Sequence, residues 1–159
     1  MKKETEAICC PRINPDDWND ITFSWEKKPF IKANVRTFFY IPLNFGSVIR
    51  KIDKKLRAKG LDFSEGICLS DHTSRWNMNI YISVNKPFDD NNITLFTGNY
   101  YCKMYDGNFK DTALWCADYK TAVKDKRYKE TNIYMWYTTC PKCAKKYGKN
   151  YVGIFSKVN

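Results

Sequence analysis

Cys140-Pro141-Lys142-Cys143 is the sharpest local arrangement of reactive side chains in this chain of 159 residues. A C-P-x-C turn lets backbone N–H groups face two thiolates, which is half of a tetrahedral zinc site. Cys9-Cys10-Pro11 offers the other half, through Cys10 alone or with Cys9. His72, the sole histidine, is an alternative fourth ligand. A structural zinc ion held by Cys9, Cys10, Cys140 and Cys143 would clip the N-terminal segment to the loop before the last strand. Two other readings stay open. One is a redox pair, although such pairs open a helix after a strand and Lys142, Lys145, Lys146, Tyr147 and Gly148 read as a loop. The other is a set of thiols without a role in a basic loop. The neighbouring lysines favour the thiolate that zinc binding and redox chemistry both need. Cys68, Cys102 and Cys116 fall in strand or helix patterns and read as small core residues. There is no G-x-S-x-G, H-E-x-x-H or phosphate loop, so the familiar hydrolase and nucleotide-binding signatures are absent.

The rest of the composition sets the context for these groups. Hydrophobic residues make up 43% of the chain, which excludes intrinsic disorder. No stretch approaches the apolar length of a membrane-spanning helix, so no membrane partner is expected. No apolar run follows Met1–Glu6, so the expectation is a cytoplasmic protein without a signal peptide. Thiols stay reduced there, and the odd count of seven cysteines forbids complete pairing. The net charge is +10, with +3 in residues 1–92 and +7 in residues 93–159. The excess lies in Lys120, Lys124, Lys126, Arg127 and Lys129, and in Lys142, Lys145, Lys146 and Lys149. The first group reads as the solvated end of a helix or as a phosphate-binding patch. No known nucleic-acid-binding motif accompanies it.

The elements that would carry these side chains come twice. Residues 35–43 (VRTFFYIPL) read as a strand ending near Pro42. Phe45, Val48, Ile49, Ile52 and Leu56 mark one face of a helix, with Asn44 as its cap and Gly60 as its stop. Strands at 66–70 and 79–85 follow, joined by the polar loop 71–76. The order restarts with a strand over 94–105, bulged at Gly98. Phe109, Thr112, Trp115, Cys116, Tyr119, Ala122 and Val123 form a second helix face, capped by Asp106 or Asn108. Strands at 133–138 and 151–158 close the chain. The expected fold is α+β: duplicated β-α-β-β units over 35–85 and 94–158, sharing an antiparallel sheet with two helices on one face. Residues 1–33 read as an arm packed on this core, with 21–25 as an added edge strand.

Gly98-Asn99-Tyr100-Tyr101-Cys102-Lys103-Met104-Tyr105-Asp106-Gly107-Asn108-Phe109 resembles the signature of GyrI-like domains, the effector-binding domains of multidrug-responsive regulators. The matching features are a glycine before the strand and a residue-x-Gly-x-aromatic turn into a helix, here Tyr105 to Phe109. Leu114, Trp115 and Tyr119 follow on that helix. The resemblance covers 94–158 well, 35–85 more weakly and 1–33 not at all, so 34–159 is taken as the GyrI-like domain. It implies an aromatic-lined cleft between the two repeats that receives a small apolar or cationic molecule. The candidate contacts are Trp76, Tyr81, Tyr100, Tyr134, Trp136 and Asn150. Tyr134 and Trp136 share one face of their strand. Some members of the family hydrolyse strained natural products, using a glutamate at the start of the last strand. Asn150 stands there in this chain, and an amide is neither a charge nor a base. Asp71, Asp106 and Asp118 are the carboxylates that could replace it.

The leading expectation is therefore a stand-alone domain that binds, and in one version hydrolyses, a small molecule. The alternative is a basic interaction protein that binds nucleic acid or an acidic protein through its lysines.

Overall fold

The computed structural model describes residues 12–39, 41–138 and 141–159. Its strands are β1 (Ile21–Phe38), β2 (Ile41–Pro42), β3 (Phe63–His72), β4 (Asn77–Val84), β5 (Ile93–Asp106), β6 (Glu130–Tyr137) and β7 (Tyr151–Val158). Its α-helices are α1 (Phe45–Ala58), α2 (Thr112–Asp125) and α3 (Pro141–Tyr147). None of them is long and apolar enough to cross a membrane.

The strands pair antiparallel in the order β1-β4-β3-β6-β7-β5, and β5 returns to pair with β1. The sheet is thus a closed six-stranded barrel, with the short β2 attached to the end of β1. This overturns the expected α+β layer of duplicated units with two helices on one face. A closed barrel has an inside and an outside, and α1 and α2 pack outside it in two separate clusters.

Closure follows from the length of β1. Its first part pairs with β5, from Ile21 opposite Cys102 to Ile31 opposite Ile93. Its second half pairs with β4, from Phe30 opposite Ser83 to Arg36 opposite Asn77. One strand therefore joins both ends of the sheet. The register slips between Trp25 and Lys28, where β1 carries an extra residue opposite Thr97. Lys27 takes a positive φ of 48° there, and its N–H donates to Thr97 Oγ1. Such a bulge bends a strand and sharpens its twist, which a small barrel requires. The extra residue sits in β1, across from the expected bulge position at Gly98.

Strand alternation divides the apolar residues between the two surfaces. Outward residues of β1 and β4, including Val35, Met78, Ile80 and Ile82, meet Ile52 and Leu56 of α1. Outward residues of β5, β6 and β7, including Tyr101, Met135, Val152 and Ile154, meet Trp115, Tyr119 and Val123 of α2. Tyr119 donates to the carbonyl of Tyr101 and bonds the Ser156 hydroxyl, so its buried polar tip is satisfied. The inward residues form the third cluster: Phe30, Ile67, Leu69, Phe96, Tyr100, Cys102, Met104, Tyr134, Trp136 and Phe155.

The expected helix faces match α1 and α2, but two expected caps act differently. The Asn44 side chain accepts from the N–H of Arg36 and so ties the helix start to β1. Asn108 accepts from the N–H of Lys110 in the short 3-10 turn before α2. The basic segment expected to be a loop folds as α3 from Pro141, the residue type suited to a first helical position.

Candidate functional site at one end of the barrel

The barrel interior is mostly aromatic, and its two ends differ. One end is closed by the segment before β1. Asn14 caps a 3-10 turn at Pro15–Asp17, which delivers Trp18 to the interior. The Trp18 ring lies 5.1 Å from that of Trp136 and 6.0 Å from that of Phe155. Asn19 Oδ1 accepts from the Met104 N–H at 3.0 Å, and Tyr101 donates to Asp20 at 2.6 Å. Gly153 makes this packing possible, since a Cβ there would lie 3.0 Å from Met104 Sδ and 3.1 Å from Trp136 Cε3.

The other end carries polar groups. Register aligns Lys32 of β1 with Tyr81 of β4 and Leu69 of β3, and Asn34 with Asn79 and Asp71. Counting by twos from the buried Phe30 and Leu69 turns Lys32, Asn34 and Asp71 inward. The aromatic floor beneath them is continuous. Tyr81 lies 5.3 Å from Phe96 and 5.8 Å from Tyr134, and Phe96 lies 5.7 Å from Tyr134. Tyr100 stacks on Phe96 at 6.1 Å. Lys32 Nζ sits 5.8 Å from the Tyr81 ring centroid, and Asn34 Nδ2 donates to Asn79 Oδ1 at 3.4 Å.

Electrostatics at this end favour neutral phenols. Burial, and then the nearby Asp71 charge, raises the pKa of Tyr81. Burial likewise raises that of Tyr134 and pushes Tyr100 up to about 12. All three hydroxyls stay protonated at neutral pH and can donate hydrogen bonds. A carboxylate beside neutral donors is a usable pair: the carboxylate takes a proton from water while the donors hold developing negative charge.

Of the three carboxylates considered as replacements for the missing glutamate, only Asp71 faces this aromatic set. Asp106 accepts from the N–H of Asn150 at 3.2 Å and from Lys149 at 3.4 Å. Asp118 accepts from Lys103 at 2.5 Å and Tyr105 at 2.7 Å on the outer surface.

Tyr81, Tyr100, Tyr134 and Trp136 of the expected contacts come together inside the barrel. The other two lie elsewhere. Trp76 is half-exposed beyond the barrel end, against Phe38 and Phe39. Asn150 precedes β7 at the end closed by Trp18, where its side chain donates to the carbonyl of Gly107. Phe96, Lys32 and Asn79 were not anticipated. Period-two counting along β1, β4 and β5 would have found them.

Cys9, Cys10 and Cys140 lie outside the described residues, as does the side chain of Cys143, whose backbone falls in the first turn of α3. No group of three or more metal-binding side chains occurs among the described residues. Cys102 is buried, and burial raises the thiols of Cys68, Cys102 and Cys116, so these three suit packing better than thiolate chemistry.

A family model described as bacterial hydrolase matches residues 1–158. The chain belongs to this bacterial hydrolase family. The match extends through both ends of the barrel, so the family includes the segment that closes one end as well as the strands bearing Asp71 and the tyrosines. No curated protein matches the chain.

Proposed function

We propose that the chain binds a small apolar or cationic molecule at the polar end of the barrel and hydrolyses it there. The observation that carries this reading is the placement of Asp71 among Tyr81, Tyr134 and Phe96. It is the only carboxylate of the three candidates turned toward the inner aromatics. Membership of the hydrolase family supports the chemical step.

In this mechanism the phenyl faces take up the apolar part of the substrate. Asp71 acts as general base toward a water molecule. The phenols of Tyr81 and Tyr134 donate to the oxygen on which charge develops. The test uses 1-naphthyl acetate as substrate and the neutral dye N-phenyl-1-naphthylamine as a binding probe. Asp71→Asn lowers turnover by about a hundredfold or more while leaving dye affinity unchanged. Equal turnover by Asp71→Asn and the native chain contradicts the assignment of the base.

A further inference from the structure

Beyond the barrel end lies a second feature that the hydrolytic reading does not use. Phe38, Phe39, Leu43 and Trp76 are 53%, 51%, 66% and 50% exposed and lie together at the tip formed by the end of β1, the β2 turn and the β3–β4 turn. Phe38 meets Phe39 edge to face at 4.8 Å, and Trp76 lies 5.7 Å from Phe38 and 5.1 Å from Phe39. Scattered exposed apolar residues are ordinary, but three large rings in contact, with exposed Leu43 just beyond β2, mark an interaction surface.

The tip is held rigidly. The Thr37 N–H donates to the carbonyl of Trp76, and the Thr37 hydroxyl to that of Arg75. Ser74 Oγ accepts from the N–H groups of Trp76 and Asn77. The Leu43 N–H donates to the carbonyl of Arg36. Phe39 adopts a positive φ of 45°, a costly conformation for an aromatic residue, and places its ring in solvent.

Charge identifies the occupant. Residues 27–52 contain six basic residues and no acidic one, and residues 72–88 contain two basic residues and no acidic one. Both segments that build the tip therefore lack carboxylates, and Arg36 and Arg75 stand beside Phe38 and Trp76 in the sequence. Exposed Phe, Leu and Trp beside arginine suit the boundary of an anionic bilayer, where apolar side chains enter the acyl region and cations meet the headgroups. Nucleobases would need flat stacking faces, whereas these rings lie tilted or edge to face. We propose that this tip docks the protein on anionic lipid surfaces. No spanning segment is involved. The tip projects from the same barrel end as Asp71 and Tyr81, four residues along β1 from Asn34, so docking would bring the candidate site toward apolar molecules dissolved in the bilayer.

The experiment is co-sedimentation of the full chain with vesicles of phosphatidylglycerol and phosphatidylcholine in equal parts, against vesicles of phosphatidylcholine alone. The chain pellets with the anionic vesicles and much less with the neutral ones. Phe38→Ser and Trp76→Ser each weaken pelleting by about tenfold, whereas Leu114→Ser, at an exposed leucine on α2, leaves it unchanged. Arg75→Gln reduces its salt sensitivity. All of these positions are exposed, and unchanged melting confirms folding. Absence of pelleting, or pelleting unaffected by both tip variants, overturns the proposal. So does tip-dependent capture of single-stranded DNA without vesicle binding. Dye binding in the barrel persists in the tip variants, so either proposal can fail without the other.

Discussion

Tyr81 and Tyr134 meet edge to face across the polar end of the barrel, with ring centroids 5.8 Å apart and ring planes at 85°. They come from β4 and β6, which are separated by β3, so the contact spans the interior. Asp71 belongs to that intervening strand, and its charge acts on both phenols. A carboxylate and two neutral donors are thereby gathered by three neighbouring strands.

On the proposed reading, Lys32 sets the preference between neutral and cationic ligands. Its ammonium lies over the Tyr81 ring and occupies the position a bound cation would take. Lys32→Met therefore raises affinity for the cationic dye rhodamine 6G several-fold, read by fluorescence polarisation. Affinity for N-phenyl-1-naphthylamine changes little. A loss of rhodamine binding in this variant would show that the cation is not received at Tyr81.

The closed end tolerates little added volume. A Cβ at Gly153 meets Met104 Sδ, Trp136 Cε3 and Phe155 Cε2 at 3.0, 3.1 and 3.2 Å. Gly153→Ala costs about 1–3 kcal/mol, measured by urea unfolding. An unchanged unfolding midpoint would mean that this end repacks freely.

Stability falls at both extremes of pH. Burial, and then the hydrogen bond to Asp118, raises the Tyr105 phenol above its ordinary 10.0. Burial, and then the bond to Asp20, does the same for Tyr101. Folded-state values above the unfolded ones mean that this stabilisation is complete below pH 10 and is lost as pH rises further. Asp20 is lowered by its bond from Tyr101, and Asp118 first by its bond from Lys103. Their contribution is present above the ordinary 3.8 and is lost as pH falls through the lowered folded values. Melting curves against pH show an alkaline decline that is shallower in Tyr105→Phe. An identical alkaline limb in that variant contradicts the assignment.

The helices α1 and α2 and most strands were legible because their periodicity is local. Phe45 to Leu56 repeats at helical spacing, and Ile80, Ile82 and Val84 alternate. Barrel closure was not legible, because it depends on Ile21–Trp25 and Phe30–Phe38 being one strand. Glu26-Lys27-Lys28-Pro29 interrupts the alternation, and the bulge that accommodates it shows only in the pairing with β5. The inner tyrosines could be found as aromatics on strand faces. Asp71 could not be chosen over Asp106 and Asp118 before the hydrogen bonds of the other two were known. Asn150 was placed by resemblance, and the fold puts it at the opposite end from Asp71.

A zinc ion on Cys9, Cys10, Cys140 and Cys143 remains our proposal for the C-P-x-C segment. Elemental analysis then finds one zinc per chain, and Cys140→Ser lowers the melting temperature. A zinc-free chain that melts identically to Cys140→Ser excludes it.

The most direct measurement is a fluorescence titration of N-phenyl-1-naphthylamine into the native chain, Tyr134→Ala and Asn150→Ala. Binding to the native chain is saturable, about tenfold weaker in Tyr134→Ala and unchanged in Asn150→Ala. Unchanged binding in Tyr134→Ala with loss in Asn150→Ala would contradict this, placing the ligand at the other end of the barrel.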